Sequence, residues 1–358
     1  MKKILITMVA LIGGFVTSFA QTSFIATLQH EGEFKHYYGG GALTSAYNDA
    51  TEGDIITLSP GTFSFSGVFN KGITLRGAGV ESVDKTYISS NIIFCSTDNS
   101  RVTTVEGIRF SGTISIENNA SGTGQGTLKF IKNIINKLNA TVANTYSQDK
   151  GPIVRLYNNA IYSLYFSSNT HPDFLFYNCY VCEPYCASSG FSETTTAFVN
   201  CVIKWANWQG YSYNYRSYAE YAYYLNFYNC IFNRVTSGTN NYPNESSLPI
   251  TATAYNCLTI NGERLFSNIV SGGSNIKLGS TSDVFKTYRD SHNEGETFEL
   301  TETAKKEYLG TDGTQIGMQG GKYPYTTTVQ YPIITKFSSE SQTTKDGKLT
   351  IDVEVDGK

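Results

Sequence analysis

A β-solenoid, in which short strands and sharp turns repeat along the chain, is the fold class that this sequence predicts. Three observations predict it. A short phrase recurs through the middle of the 358 residues, an Asn holds the same place in each copy, and the composition is rich in aromatic residues (14%) but poor in charged ones (16%). Short strands between many turns suit that composition better than helices do. Because the copies lie about 20 to 29 residues apart, each unit is expected to stack on its neighbours.

The repeated phrase is an inward apolar residue, one further residue, an Asn, and then a Cys or another small or apolar residue. The six copies are centred on Asn133, Asn158, Asn178, Asn200, Asn229 and Asn256. Asn tolerates a left-handed backbone better than any residue except Gly, so one Asn can turn a strand sharply into the next. With coils stacked at roughly 4.8 Å, the Asn amides are expected to hydrogen-bond from coil to coil as a ladder.

Two inward-facing stacks accompany the Asn positions. The stack two residues before each Asn is predicted to contain Ile131, Leu156, Phe176, Phe198, Phe227 and Ala254. The stack three residues after it is predicted to contain Asn136, Ile161, Val181, Ile203, Phe232 and Thr259. Two earlier segments fit the same frame with Gly72 or Gly107 in place of Asn, because Gly adopts the same turn.

Three stretches share features with a known family: residues 42–79, the Asn and Cys repeat itself, and residues 297–321. In these stretches the chain resembles the secreted right-handed parallel β-helix proteins of the pectate-lyase-like fold, in their Bacteroidetes form. The resemblance implies an all-β, right-handed parallel β-helix that begins with a short capping helix and closes with the third stretch. The three stretches carry no catalytic residue, so the resemblance does not imply an activity.

The sequence predicts four segments. Residues 1–20 are predicted to be a signal peptide, because Lys2 and Lys3 precede an apolar run that ends in small residues at Ala20. Residues 21–41 lead into the β-helix, which is predicted over residues 42–325. Residues 326–358 alternate as two strands with a turn at Asp346 and Gly347, and they are predicted to form a hairpin that caps the helix or is the remainder of a longer extension.

The signal predicts export by the Sec route, to the periplasm, the outer surface or the medium. After its removal no further segment is apolar enough to predict a transmembrane span. The full chain has 27 basic and 30 acidic residues and a net charge of −3, and the basic residues are scattered. Without a basic run, nucleic acid is not an expected partner.

Four of the seven cysteines share one offset, directly after the Asn: Cys179, Cys201, Cys230 and Cys257. An equal offset predicts a stack of small buried thiols with a structural role. The spacing of Cys179, Cys182 and Cys186, with His171 upstream, suggests zinc, but the inward Cys179 leaves too few ligands on one side. No metal site is therefore predicted, and a local disulfide between Cys182 and Cys186 stays open.

A glycoside hydrolase is not favoured, because it needs two carboxyl groups roughly 5 to 9.5 Å apart and no strand offset here holds two acids. A polysaccharide lyase needs a base and a cation or Arg beside a uronic acid. The candidates are Lys204, Arg216 and Arg234, with Arg155 a further basic residue near the centre. No cofactor is required. Calcium is expected only for a lyase, from the loop acids Asp173, Glu193, Glu220 and Glu245.

The most unusual local feature is an aromatic insertion that makes its coil the longest of the series. Its glycan-binding candidates are Trp205, Trp208, Tyr211, Tyr213, Tyr215 and Tyr221. Flat rings with a polar edge suit stacking on sugars. A second series lies directly before the Asn and should point outward, either to stabilise the sheet by stacking or to contact glycan: Tyr157, Tyr177, Tyr228 and Tyr255.

Three functions are compatible with these residues. The first is a glycan-binding or adhesive protein that contacts complex polysaccharide, which the aromatic insertion and the missing acid pair favour. The second is a lyase acting by β-elimination on a uronic-acid glycan. The third is a structural protein of the cell envelope.

Overall fold

The computed structural model describes residues 24–81, 84–96, 100–118, 126–140, 152–166, 173–182, 184–186, 196–205, 225–234, 253–260, 275–278, 283–287, 296–328, 333–339 and 351–356. At Trp205, Arg234 and a few other strand positions the description covers the backbone alone. The predicted signal peptide lies outside the described residues.

The described elements are short strands and two helices, α1 (Ala42–Asp49) and α2 (Glu302–Glu307). In chain order the strands are β1 (Ile25–His30), β2 (Glu33–Tyr38), β3 (Ile55–Leu58), β4 (Gly61–Phe63), β5 (Val68–Phe69), β6 (Thr74–Arg76), β7 (Thr86–Ile88), β8 (Ile92–Ser96), β9 (Val102–Glu106), β10 (Arg109–Asn118), β11 (Thr127–Ile131), β12 (Ile134–Ala140), β13 (Ile153–Tyr157), β14 (Ala160–Ile161), β15 (Leu164–Phe166), β16 (Asp173–Tyr177), β17 (Tyr180–Cys182), β18 (Pro184–Cys186), β19 (Thr196–Val199), β20 (Val202–Trp205), β21 (Leu225–Tyr228), β22 (Ile231–Arg234), β23 (Thr253–Tyr255), β24 (Leu258–Ile260), β25 (Ile276–Leu278), β26 (Ile333–Ser339) and β27 (Ile351–Asp356).

The strands form a right-handed parallel β-helix, which confirms the predicted fold class. The first sheet has the order β2-β1-β3-β6-β9-β11-β13-β16-β19-β21-β23, and the second has the order β25-β24-β22-β20-β17-β14-β12-β10-β7-β4. From β3 onward the pairs in the first sheet are parallel and in register. A third face is made by β5, β8, β15 and β18 with the later residues of β10 and β12.

The N-terminal end of the β-helix is covered by α1, the short capping helix that the resemblance implied. Its apolar side is buried against the first coils, where the Tyr47 ring lies 4.4 Å from that of Phe69. The Lys71 ammonium group donates to the carbonyls of Tyr47, Asn48 and Ala50 at 2.7, 3.1 and 2.8 Å, which stabilises the C-terminal end of the helix. The antiparallel hairpin β1–β2 extends the first sheet at the same end.

The interior is an apolar column made of the two predicted stacks. Phe198 stacks on Phe176 at 4.4 Å and on Phe227 at 5.0 Å, with ring planes within 6° and 16° of parallel. From the second copy of the phrase onward, every predicted inward residue is buried. A column of this kind adds core with each coil without becoming thicker.

The predicted register is wrong by one residue at the first copy. The left-handed residue there is Lys132, with φ 54°, and not Asn133. As a result Phe130 and Ile135 face inward, whereas Ile131 pairs with outward Tyr157 and Asn136 is exposed. The pattern predicted the wrong turn residue because Asn133 follows the turn in this coil and does not form it.

The Gly72 assignment is also wrong. Gly107 is left-handed, with φ 68°, as predicted, but Gly72 is not. Because Arg76 pairs with Glu106, the residue equivalent to Gly107 is Gly77. A Cβ at Gly77 would lie 2.4 Å from the Gly107 carbonyl oxygen, so Gly is needed there for close approach.

Between the two sheets, five Asn residues adopt the left-handed conformation, with φ between 51° and 56°: Asn158, Asn178, Asn200, Asn229 and Asn256. Their side chains do not form the continuous amide ladder that we expected. One such bond exists, from Asn256 Nδ2 to Asn229 Oδ1 at 3.1 Å. The side chains of Asn158, Asn178 and Asn229 hydrogen-bond instead to a C-terminal segment that is described below.

A second ladder lies inside the turns, one residue after the left-handed residue of each coil from Lys132 to Asn256, and Asn275 continues it beside Cys257. Its members are Asn133, Asn159, Cys179, Cys201, Cys230, Cys257 and Asn275. Each donates to the carbonyl of the inward residue on the preceding coil. Asn159 Nδ2 donates to Phe130 at 2.8 Å, and Cys201 Sγ donates to Phe176 at 3.5 Å. The Asn amides at both ends of this ladder and the Cys thiols in its middle therefore make the same hydrogen bond to the preceding coil.

Residues 296–328, which we call the C-terminal strap, run along the outside of the second sheet. Outward side chains of that sheet pack against the strap: Ile134, Ala160, Tyr180, Val202, Ile231 and Leu258. The strap contributes Phe298, Leu300, Ala304, Tyr308, Ile316, Met318 and Tyr325 to the same cluster. The stretch that resembled a closing segment thus covers a side of the helix.

The left-handed residues fix the strap in place. Asn256 Nδ2 donates to Leu309 at 2.6 Å near the late coils, and Lys132 Nζ donates to Thr328 at 2.6 Å near the early ones. Between them, Asn178 Nδ2 donates to the carbonyls of Met318 and Gly320 at 2.8 and 2.6 Å. The strap therefore runs back along the helix and crosses successive turns.

The C-terminal strand pair is present as predicted. β26 and β27 pair antiparallel, with Ile334 opposite Val355. The predicted turn at Asp346 and Gly347 lies outside the described residues.

We expect Asn178→Ala to destabilise the protein more than Asn178→Gly does. Both variants lose two hydrogen bonds to the strap, worth about 1 to 3 kcal/mol together. Only Ala adds the cost of a left-handed backbone, about 1 to 2 kcal/mol. Midpoints of urea unfolding test the order, and limited proteolysis within residues 309–324 tests release of the strap. A Gly variant as stable and as protected as the original chain would contradict the role of the amide.

Candidate functional site

The outward surface of the first sheet carries a row of aromatic side chains, which we call the tyrosine face. Because side chains alternate across a strand, the residue after each inward Phe or Leu points outward. The positions directly before the left-handed residues are, in order along the sheet, Glu106, Ile131, Tyr157, Tyr177, Val199, Tyr228 and Tyr255. The strap covers the second sheet, whereas the outward tyrosines of the first sheet remain half exposed.

The tyrosines stack in two pairs. The rings of Tyr157 and Tyr177 lie 5.3 Å apart, and those of Tyr228 and Tyr255 lie 5.2 Å apart, each pair within 5° of parallel. Tyr323 of the strap meets Tyr157 and Tyr177 edge-on at 5.5 and 6.1 Å. Stacking on neighbouring strands holds these rings in fixed positions without a ligand.

A second outward row runs beside the tyrosines, two residues earlier on each strand. It consists of Thr104, Lys129, Arg155, Leu175, Ala197, Asn226 and Thr253. Lys129 and Arg155 are direct partners on β11 and β13, so two cationic side chains lie together. Arg155 Nη1 also donates to the carbonyls of Val154 and Asp173 at 3.3 and 3.4 Å, which keeps the guanidinium close to the sheet.

Burial is the main cause of the pKa shifts of three groups at this face, Tyr157, Glu106 and Lys132. Burial, and then the neighbouring Tyr177, raises the pKa of Tyr157 above its ordinary value, so its hydroxyl stays a hydrogen-bond donor at neutral pH. At the early end of the face, burial raises the pKa of Glu106 and lowers that of Lys132. Each of those two charges offsets part of the other's shift. Lys132 Nζ donates a hydrogen bond to the Thr328 carbonyl of the strap, which indicates a structural role for this side chain.

Two of the residues predicted for a lyase, Lys204 and Arg234, lie on strands of the second sheet, whereas the tyrosine face belongs to the first sheet. Lys204 on β20 is half-buried and pairs with Cys182 on β17 and Asn233 on β22. Arg234 pairs with Trp205, one residue further along. Register thus brings the backbones of Trp205 and Arg234 side by side, while Lys204 and Arg234 are offset by one residue.

The remaining candidates of the aromatic insertion and the lyase set lie outside the described residues. They are Trp208, Tyr211, Tyr213, Tyr215, Arg216 and Tyr221. Of the four acids considered for calcium, Asp173 alone is described, at the start of β16 opposite Ile153. Within the described ranges, no three His, Cys, Asp or Glu side chains come together as a metal site would require.

The cysteine ladder offers little chemistry. Its Sγ atoms donate to backbone carbonyls, and its side chains are at most 1% exposed. Burial raises the pKa of Cys201 and of Cys257 well above the ordinary thiol value. The thiols of Cys201 and Cys257 therefore stay protonated and, without access to solvent, are neither nucleophiles nor ligands. Cys182 is buried as well, and the Cys186 side chain lies outside the described residues, so the question of a disulfide between them stays open.

Sequence patterns located the tyrosines but missed three features of the face. Lys129 has the same offset as Arg155, so strand alternation alone would have paired them. Val199 breaks the tyrosine row at an offset where the other copies from Tyr157 onward carry Tyr. Tyr323 has no local signal, because a contact made across the fold by the strap leaves no periodicity in the sequence.

Neither helix within the described ranges has the length and apolar composition of a membrane span. Comparison of the chain with models of protein families, with curated proteins and with solved structures finds no match.

We expect Cys201 and Cys257 to resist a thiol-specific reagent at pH 8 in the folded protein and to react fully in urea. Their labelling should be slower than that of an exposed thiol by at least about a hundredfold, since a buried thiol reacts only when the fold opens. The matched control is Ser111→Cys, at an exposed position of β10. Peptide mapping by mass spectrometry gives each rate. Equal rates for Cys201 and the introduced thiol would contradict the buried ladder.

Proposed function

We propose that this protein is exported and binds complex polysaccharide without catalysis, with the tyrosine face as its contact surface. One observation carries the proposal: two parallel tyrosine pairs lie on the same half-exposed side of the first sheet, and Lys129 and Arg155 lie next to the first pair. Export rests on the sequence pattern of residues 1–20.

The chemistry of the face suits sugars. A tyrosine ring offers apolar area to the C–H groups of a pyranose, and its hydroxyl meets the polar edge. Backing each ring with a second ring limits the side-chain entropy lost on binding, which favours affinity. Lys129 and Arg155 add positive charge next to Tyr157, so acidic polysaccharides containing uronic acids are the preferred class.

The wider assignment follows the resemblance noted above. We infer a secreted β-helix protein of the pectate-lyase-like, Bacteroidetes type, acting in the periplasm, at the outer surface or in the medium. The aromatic insertion, with Trp205 and Trp208, is a second proposed contact region. No cofactor is needed for binding.

A lyase acting on uronic-acid glycans is the second candidate. It is favoured by the register that sets Arg234 beside Trp205, with Lys204 one residue away on β20. In that case one of Lys204, Arg216 and Arg234 would remove the proton next to the carboxylate, and another would stabilise the developing charge. Calcium binding is proposed only for the lyase. A purely structural role in the envelope is the third candidate.

We expect the full chain, expressed for export and purified, to be retarded in native gels that contain polygalacturonate or alginate. Retardation should weaken as salt rises toward 0.5 M, because exposed charges are screened over about 10 Å or less at such ionic strength. No ultraviolet absorbance from unsaturated uronate should develop, with or without calcium. A calcium-dependent rise in absorbance would instead support the lyase, and no retardation by any acidic or neutral glycan would support the structural role.

Variants locate the contact surface. Tyr177→Ala should reduce retardation, while Tyr87→Ala, which removes a half-buried tyrosine on β7 away from the face, should not. Trp205→Ala and Trp208→Ala report on the aromatic insertion. If only the tryptophan variants lose binding, the contact surface is the insertion and not the tyrosine face.

A further inference from the structure

The tyrosine face is interrupted at one strand. β19 presents two small outward residues, Ala197 and Val199, between neighbours with larger ones. Val199 lies between Tyr177 and Tyr228, and Ala197 lies between Leu175 and Asn226. Because both small residues belong to the same strand, they form the floor of a groove one strand wide, which we call the β19 groove.

The walls of the β19 groove are rigid. Tyr177 has Tyr157 stacked on its far side and Tyr323 against its edge, and Tyr228 has Tyr255 stacked on its far side. The opposite ring faces of Tyr177 and Tyr228 both look toward Val199. Among the described residues, no aromatic ring packs on either of these inner faces.

The width of the groove selects the shape of its occupant. The two wall strands are separated by two interstrand spacings, about 9.6 Å. A ring placed midway has about 4.8 Å on each side, whereas optimal carbon–carbon contact is at about 3.5 to 4.0 Å. A flat aromatic ring stacks at this spacing when it is offset, as the tyrosine pairs do with ring centroids 5.3 and 5.2 Å apart. A puckered pyranose, whose ring atoms and axial hydrogens project from the mean plane, fills the space between both walls.

The polarity of the groove agrees with the same occupant. The floor is apolar at Val199 and Ala197, the walls present aromatic faces, and polar groups lie at the rim: the hydroxyls of Tyr177 and Tyr228 and the amide of Asn226. A pyranose has two C–H faces and a ring of hydroxyls at its edge. Edge hydroxyls near the rim and C–H faces against the rings satisfy both kinds of surface.

We propose that the β19 groove holds a single pyranose ring between Tyr177 and Tyr228. This inference rests on the proposed polysaccharide binding and adds the position and orientation of one sugar unit. The sugar ring lies parallel to the tyrosine rings, so its equatorial linkages direct the glycan along the strands and across the axis of the β-helix. Lys129 and Arg155 lie two or more coils away and steer an acidic chain without touching the inserted ring.

The test is Val199→Tyr, which fills the groove with a ring in register with its neighbours. Tyr is a good strand former at an outward position, so folding should be preserved, and the urea midpoint checks this. Affinity for mannuronate-rich alginate, whose 1,4 linkages are equatorial, is measured by calorimetry and should fall at least about tenfold. The matched control is Ile131→Tyr, which extends the same row next to Tyr157 and leaves the groove open; its affinity should stay within about twofold of the original.

A second pair of variants removes a wall instead of filling the space. Tyr228→Leu takes away one inner face, whereas Tyr255→Leu takes away only its backing, so the first should weaken binding more than the second. If the original chain binds and Val199→Tyr binds equally well, the groove is not a sugar site although the proposed function stands. If the original chain binds no glycan in any assay, the proposed function itself fails. Loss of binding in Ile131→Tyr to the same extent as in Val199→Tyr would also overturn the inference.

Discussion

The left-handed turn between the two sheets is the constraint on which the rest of the structure depends. At each turn the chain changes direction within one residue, and the carbonyl of the preceding inward residue is left inside the coil, away from water. Because a carbonyl oxygen has two lone pairs, the neighbouring coil can donate a side-chain hydrogen bond to it, as each coil from Asn133 onward does. The next coil does so with the side chain just after its own turn, either an amide such as Asn159 or a thiol such as Cys201. This side-chain hydrogen bond therefore also fixes how each coil is aligned with the next one along the axis of the β-helix.

The alignment of the coils at the turn also determines which side chains lie next to each other on the outer surface. Since side chains alternate along a strand, fixing the inward Phe198 also fixes Val199 on the opposite face and places it between Tyr177 and Tyr228. The tyrosine face thus needs no supporting loops. One substitution in the row, from a large residue to a small one, is enough to change a continuous stack into two walls and a floor.

Much of this architecture could be predicted from the sequence because its interactions repeat. The fold class, the inward columns from Leu156 onward, the buried thiols and the outward tyrosines all follow from offsets within a short phrase. The first copy of the phrase could not be placed correctly, because Lys132 adopts the left-handed conformation there, at a cost of about 1 to 2 kcal/mol that its neighbours offset. Asn133 follows the turn, at the position where the inner ladder has a side-chain amide. The strap could not be predicted either, since its contacts with Asn178 and Lys132 join residues far apart in sequence.

The strap also explains why Asn, and not Gly, occupies most of the turns. Gly would adopt the left-handed backbone with less strain, as Gly107 does, but it carries no donor. Asn combines the turn with an amide that reaches outward to a strap carbonyl, and Lys132 does the same with its ammonium group. Five turn residues therefore both form the turn and bind the strap, and they determine which side of the β-helix the strap covers: Lys132, Asn158, Asn178, Asn229 and Asn256.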